Sequence, residues 1–193
     1  MDTEVQKIEA LYRKEFLSFI DTMENLSLNK TGRTNLVHSQ IKAYDFDKIK
    51  GYLYPVGPAP TSADALYFNK FIAFIEFKDG IKTGGANNPR YIRNCEDSAR
   101  DSMMAHKLFM SFCSTKHINF SVIKTLFIVV INSSTHASRA YGAALAKRTE
   151  LDTDIKNRLK DKFTGKDLLG SDTFYSDVDV WNDINFDVKI AAI

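Results

Sequence analysis

Residues 63–80 read ADALYFNKFIAFIEFKDG, and the placement of this stretch decides how the rest of the chain is arranged. Aromatic and β-branched residues fill 63–69 and again 70–80, two runs that meet at Asn69 and Lys70 and read as a β-hairpin. In the second run side chains alternate, so Ile72, Phe74, Glu76 and Lys78 share one side while Ala73, Ile75 and Phe77 share the other. Both sides are largely apolar, the mark of a central, covered strand. Glu76 and Lys78 on such a strand carry a desolvation penalty unless each has a partner. Loop length sets the phase. A three-residue loop, Asn69 to Phe71, pairs Phe68 with Ile72 and puts Asp64 directly opposite Glu76 on the same face. A two-residue loop pairs Asp64 with Ile75 and turns it away, unless a β-bulge restores the phase. Two facing carboxylates are destabilising unless a cation sits between them. The first register therefore makes a hard-metal site with a lysine two residues along.

Upstream, Val5, Ile8, Tyr12, Phe16, Phe19, Ile20 and Met23 recur at three- and four-residue steps, which predicts an amphipathic helix over 4–24. Residues 26–50 are polar and mixed, with a short helix read from Thr34 to Tyr44. GYLYP at 51–55 reads as a strand and VGPAP after it as an extended loop. Downstream, 84–89 reads as a loop, 93–112 as a helix and 123–131 (IKTLFIVVI) as a strand covered on both faces. A helix over 140–163 and an acidic tail complete an α/β, mixed α+β layer fold.

The chain has 193 residues, 44% hydrophobic and 26% charged, which excludes disorder, collagen and low complexity. No linker or repeat divides it, so 1–193 reads as a single domain. Its 14 Phe, 8 Tyr and one Trp supply bulk for a core without staples. Cys95 and Cys113 have no CxxC spacing, so neither a disulfide framework nor a cysteine zinc site is expected, and a reducing cytoplasm fits best. The run Leu126 to Ile131 is far shorter than the ~20 residues of a membrane span, and no signal segment is read at the start. Net charge is +2 but uneven: residues 147–166 hold seven Lys/Arg against four Asp/Glu, and 167–193 hold six Asp against one Lys. That polarity is weaker than a dedicated nucleic-acid binder shows.

Asp64, eleven intervening residues, then Glu76-Phe77-Lys78: this pattern resembles the PD-(D/E)xK nuclease superfamily. The order helix, three-stranded meander, helix, strand resembles that superfamily's restriction-endonuclease-like core, with a helical and acidic C-terminal extension here. Ala63 stands where the family's name has proline. The resemblance implies a Mg²⁺- or Mn²⁺-dependent nuclease acting on DNA or RNA, with Asp64 and Glu76 as metal ligands and Lys78 as the catalytic lysine. It also implies an acidic residue on the first helix; Glu15 and Glu9 flank that helix's apolar stripe, and Glu15 is the choice. Oxygen ligands suit Mg²⁺, and a metal-bound water is acidified.

Arg90 and Arg93 follow the hairpin, with Glu96, Asp97 and Asp101 interleaved. They read either as an ordinary solvated helix face or as contacts to a nucleic-acid backbone. His106 falls on the stripe of Ala99, Met103 and Met110 and reads as a core histidine. Ser98 and Ser102 have no His/Asp partner at hydrolase spacing. Gly170-Ser171 before Asp177 and Asp179 has too short a gap for a nucleotidyltransferase signature. The alternative to an enzyme is a non-catalytic protein of the same fold, binding nucleic acid or, in immunity-type fashion, presenting Asp177, Asp179, Asp183 and Asp187 to a basic partner.

Overall fold

The computed structural model describes residues 3–29, 34–57, 60–78, 89–132, 153–164 and 174–193, with the side chains at 89 and 90 excepted. In chain order the elements are α1 (Glu4–Phe16), β1 (Ile20–Thr22), α2 (Met23–Leu26), β2 (Leu28–Asn29), β3 (Thr34–Asn35), β4 (Lys42–Asp45), α3 (Phe46–Leu53), β5 (Ala65–Phe68), β6 (Ile72–Lys78), α4 (Pro89–Phe112), β7 (Thr125–Ile131), α5 (153–163), β8 (Asp177–Asn182) and α6 (Phe186–Ala192). Six strands form one mixed sheet in the order β1-β4-β5-β6-β7-β8, and β2-β3 form a separate ribbon.

The hairpin has the three-residue loop: Phe68 pairs with Ile72, Leu66 with Phe74 and Ala65 with Ile75. The Asn69 N–H donates across the turn to the Phe71 carbonyl at 3.1 Å. β4 and β5 run antiparallel, as do β5 and β6, whereas β6-β7 and β7-β8 are parallel. A parallel pair needs a long crossover, and α4 supplies it between β6 and β7. β7 thus joins the sheet beside β6, in keeping with its continuous apolar character.

Alternation along the strands divides the core. On one face Leu66, Phe68, Ile72, Phe74, Phe127 and Val129 meet apolar side chains of α1, α3, α4 and α5. On the other, Ala65, Ala73, Ile75, Ile128 and Val130 meet Trp181, Phe186 and Ile190. Tyr12 of α1 is the hub of the first face, its ring 4.5–5.9 Å from those of Phe16, Tyr44, Phe68, His106 and Phe109. Among the described residues no helix is long and apolar enough to cross a membrane.

Four readings are corrected. The helix predicted over 4–24 ends at Phe16, and Leu17–Phe19 form a 3₁₀ turn into β1. Phe16 itself leaves helical geometry (φ −125°, ψ 26°), although the apolar spacing runs on through Met23. The helix read at 34–44 gives way to β3 and β4. The strand read at 51–55 is the end of α3, whose start is fixed by the Asp45 side chain accepting from the Lys48 N–H at 3.0 Å. The acidic tail is not an appendage, because Asp177–Asn182 form a strand of the main sheet. The loop read at 84–88 and the start of the helix read at 140 lie outside the described residues.

His106 is a core residue as expected. Burial, with the Lys107 charge beside it, lowers its pKa to about 4 from 6.5. A histidine buried neutral binds fewer protons than its unfolded counterpart between these values, so folding stability falls as pH drops through that window. The expected loss is about 3 kcal/mol between pH 6.5 and 4. Chemical denaturation at stepped pH checks it: the difference between wild type and His106→Phe must shrink across that range, and a constant difference would refute the assignment.

Candidate functional site

Three backbone bonds fix the chain around Asp64 and the end of β6. The Asp64 N–H donates to the Ile75 carbonyl at 3.0 Å, the Asp64 carbonyl accepts from the Phe46 N–H at 3.0 Å, and Asn132 N–H donates to the Lys78 carbonyl at 3.2 Å. Asp64 lies just before β5, and its N–H goes to Ile75, already the partner of Ala65, yet its carboxylate is close enough to Glu76 for the two charges to raise each other's cost. The Asp64 Oδ2 accepts from the Phe77 N–H at 2.6 Å. Alternation along β6 places Glu76 and Lys78 on the face covered by α4.

Glu76 is buried, with 4% of its surface exposed, and two groups meet its oxygens. Lys78 Nζ donates to Oε1, and Ser98 Oγ of α4 donates to Oε2 at 2.7 Å. Ser102, one turn further along α4, accepts from the Ala63 N–H at 2.7 Å. The two serines thus tie α4 to the strand ends on either side of Asp64. Cys95 lies on the same helix face, fully buried, and burial pushes its thiol up to about 12. It is not a nucleophile near neutral pH.

The electrostatics follow from burial and proximity. Desolvation, then the Glu76 charge, raises the Asp64 pKa well above the ordinary carboxylate value. Desolvation also raises Glu76, against the pull of Lys78 and Ser98. Burial acts against the Lys78 charge, but Glu76 and Asp64 outweigh it and its pKa is raised. Two acids with raised values beside one lysine form a negatively overloaded cluster that a further cation would relieve.

Sequence reasoning missed three contributors. Ser98 and Ser102 were weighed only as hydrolase residues, yet their spacing of four within the stripe of Cys95, Ala99 and Met103 is the signal of a polar pair facing the sheet. Asp47 of α3 is the third. Its charge raises both Asp64 and Glu76, while its Oδ1 accepts from Ser62 Oγ and Lys50 Nζ, each at 2.9 Å. Reading 51–55 as a strand hid the helix that carries it.

Glu15 does not join this cluster. It pairs loosely with Lys14 and its charge is felt by Cys113, which follows the C-terminal end of α4, about 20 Å along that helix from Ser98. Arg93 is exposed in the first turns of α4, the end that bears Ser98. The Arg90 side chain lies outside the described residues. Asp177 and Asp179 do not form a bare acidic face, since they are paired with Lys160 and Lys156 of α5 at 2.9 and 2.8 Å.

Removing the Ser98 hydroxyl isolates its role. Ser98→Ala leaves a buried, charged Glu76 oxygen without its donor, an expected loss of about 1–3 kcal/mol, and drives the Glu76 pKa further up. Thermal unfolding and carbon-detected titration of Glu76 check both, and an unchanged Tm would show that the contact contributes nothing.

Asp64 and Glu76 offer oxygen ligands, which suits a hard cation, and Mg²⁺ sites commonly use one or two carboxylates and keep several waters. Among the described residues no group of three His, Cys, Asp or Glu side chains is arranged to hold a metal, so any cation here would rest on this pair and water. Searches of family models, curated proteins and solved structures return no match to this chain.

Proposed function

We propose that the protein is a metal-dependent phosphodiesterase of the PD-(D/E)xK type, cleaving DNA or RNA with Mg²⁺ or Mn²⁺. The observation that carries this reading is the closeness of the Asp64 carboxylate, which accepts from the Phe77 N–H, to Glu76 and Lys78 at one end of β6. The sequence of α1, the β4-β5-β6 meander, α4 and the parallel β7 supports a restriction-endonuclease-like core. The site also lies toward the carboxyl end of β6, the side where open α/β sheets bind ligands.

The chemistry is attack of water on phosphorus with departure of an alkoxide, which takes up a proton to leave as an alcohol. Asp64 and Glu76 would hold the cation, which when bound supplies Lewis acidity and lowers the pKa of a ligated water. Lys78 contributes a positive charge toward the non-bridging phosphate oxygens. Ser98 holds the Glu76 carboxylate in place. Arg93, exposed at the near end of α4, and Arg90 in the same helix's first turn are offered to the phosphate backbone.

The test is cleavage of single- and double-stranded DNA and RNA by purified protein with Mg²⁺ or Mn²⁺, abolished by EDTA. Cation binding followed calorimetrically in two buffers should release protons, because raised carboxyls must ionise to ligate. No cleavage and no cation binding would overturn the enzyme and leave a non-catalytic protein of this fold.

A further inference from the structure

A cleft of about 660 Å³ opens at the other end of the sheet, beside Ile72 and Thr125 at the starts of β6 and β7. Ile72 is four residues from Glu76 along one strand, about 13 Å, so the cleft is separate from the carboxylate pair. Its size lies within the range of small-molecule sites. Ile8, Met103, Met110, Phe120 and Ile123 give it an apolar body, and among the described residues no Asp or Glu lines it.

Two groups give it polarity. Lys107 Nζ lies 5.0 Å above the Phe174 ring, and both residues line the cleft. Among the described residues Lys107 has no acidic partner, unlike Lys156, Lys160 and Lys162. The second group is His106, 5% exposed, whose Nδ1 lies 2.8 Å from the buried Tyr12 hydroxyl. If Nδ1 carried the hydrogen, the Tyr12 O–H would be buried without an acceptor, a penalty of about 1–3 kcal/mol. Tyr12 therefore donates, and in the neutral ring Nε2 carries the hydrogen. That Nε2–H has no acceptor among the described residues, on a ring that lines the cleft.

A ring N–H donor and a lysine thus line an apolar cavity that, among the described residues, no carboxylate lines. We infer that this cleft binds a small organic anion with an apolar body, an aromatic carboxylate being the simplest member, with the anionic head between Lys107 and His106 and the body against Met103, Met110 and Ile123.

The probe is 2-naphthoate, with the neutral 2-naphthalenemethanol as its counterpart, titrated calorimetrically into the full chain. Expected is saturable binding of the carboxylate and at least about tenfold weaker binding of the alcohol, equivalent to ~1.4 kcal/mol. Lys107→Met keeps the stem over Phe174 and removes the charge, and should weaken naphthoate about tenfold while leaving the alcohol unchanged. Ser111→Trp, at an exposed helix position lining the cleft, should block both. Equal affinity for the two probes, naphthoate binding unaffected by Lys107→Met or Ser111→Trp, or no saturable binding up to the solubility limit would each overturn the assignment. Nuclease activity does not enter the readout.

Discussion

Asp64→Asn is expected to abolish Mg²⁺-dependent cleavage and at the same time raise the thermal stability of the metal-free protein. The substitution removes one of two neighbouring charges at almost constant volume. The asparagine Oδ1 still accepts from the Phe77 N–H, and the Glu76 contacts to Lys78 and Ser98 are untouched. The direction of the stability change follows from the raised Asp64 pKa. A carboxyl whose folded pKa lies above its unfolded one binds more protons folded, so it is favourable to stability at low pH and that contribution is lost as pH rises through the folded value. The advantage of Asp64→Asn should thus be near zero below pH 3.8 and grow on the alkaline side. A gain of about 1–3 kcal/mol, or several degrees in Tm, is the expected scale at neutral pH. Glu76→Gln should likewise end cleavage, with a smaller stability gain on the alkaline side, because burial raises the Glu76 pKa too but the substitution also breaks the pair with Lys78. A metal-free Asp64→Asn protein less stable than wild type at pH 8 would show that the two carboxylates do not repel each other.

Lys78→Met should separate charge compensation from ligation. Without the ammonium group, Asp64 and Glu76 stand close together uncompensated, and removing one member of a buried pair typically costs about 3–5 kcal/mol. In EDTA the variant should be much less stable than wild type. In Mg²⁺ or Mn²⁺ the deficit should narrow, because Lys78 and a cation compete for the same Glu76 oxygen. Cation affinity should therefore rise while cleavage falls on the order of 10²-fold or more, the usual scale for one electrostatic contributor. Differential scanning calorimetry with and without cation, beside single-turnover cleavage, reads both. A variant whose stability ignores the cation would refute ligation by this pair.

The legible parts of the sequence were those where one physical rule acted alone. The three-residue loop fixed the phase of β5 against β6 from Phe68–Ile72 to Ala65–Ile75, and seven consecutive apolar or β-branched positions marked β7. Elsewhere two rules competed. Phe19, Ile20 and Met23 continue the period of α1, but the chain turns into β1, and four residues of β4 are too few to display alternation. Tyr52, Leu53 and Tyr54 carry strand propensity, yet Asp45 caps a helix three residues before Lys48, and Gly51 sits within that helix with nothing within 4 Å of where a Cβ would stand. In DVDVWN the alternation was present, but the aspartates looked solvated because Lys156 and Lys160, which neutralise them, lie on another element. Placing Glu15 at the site failed because α1 crosses α4 at its far end, a matter of packing geometry.

The lateral position of β8 also sets an order of events on the ribosome. β7 presents Thr125–Ile131 as a ladder whose inner positions are all apolar, and among the described residues its outer edge is covered by β8. Residues 132–176 must be synthesised before that cover exists, roughly 2–9 s at usual elongation rates. During this interval the nascent protein carries an open, greasy strand edge of the kind that nucleates intermolecular β-pairing. Codon usage across 132–176 thus becomes a lever on yield: slowing translation there prolongs the exposure, and the soluble fraction should fall without any change in the finished amino-acid sequence.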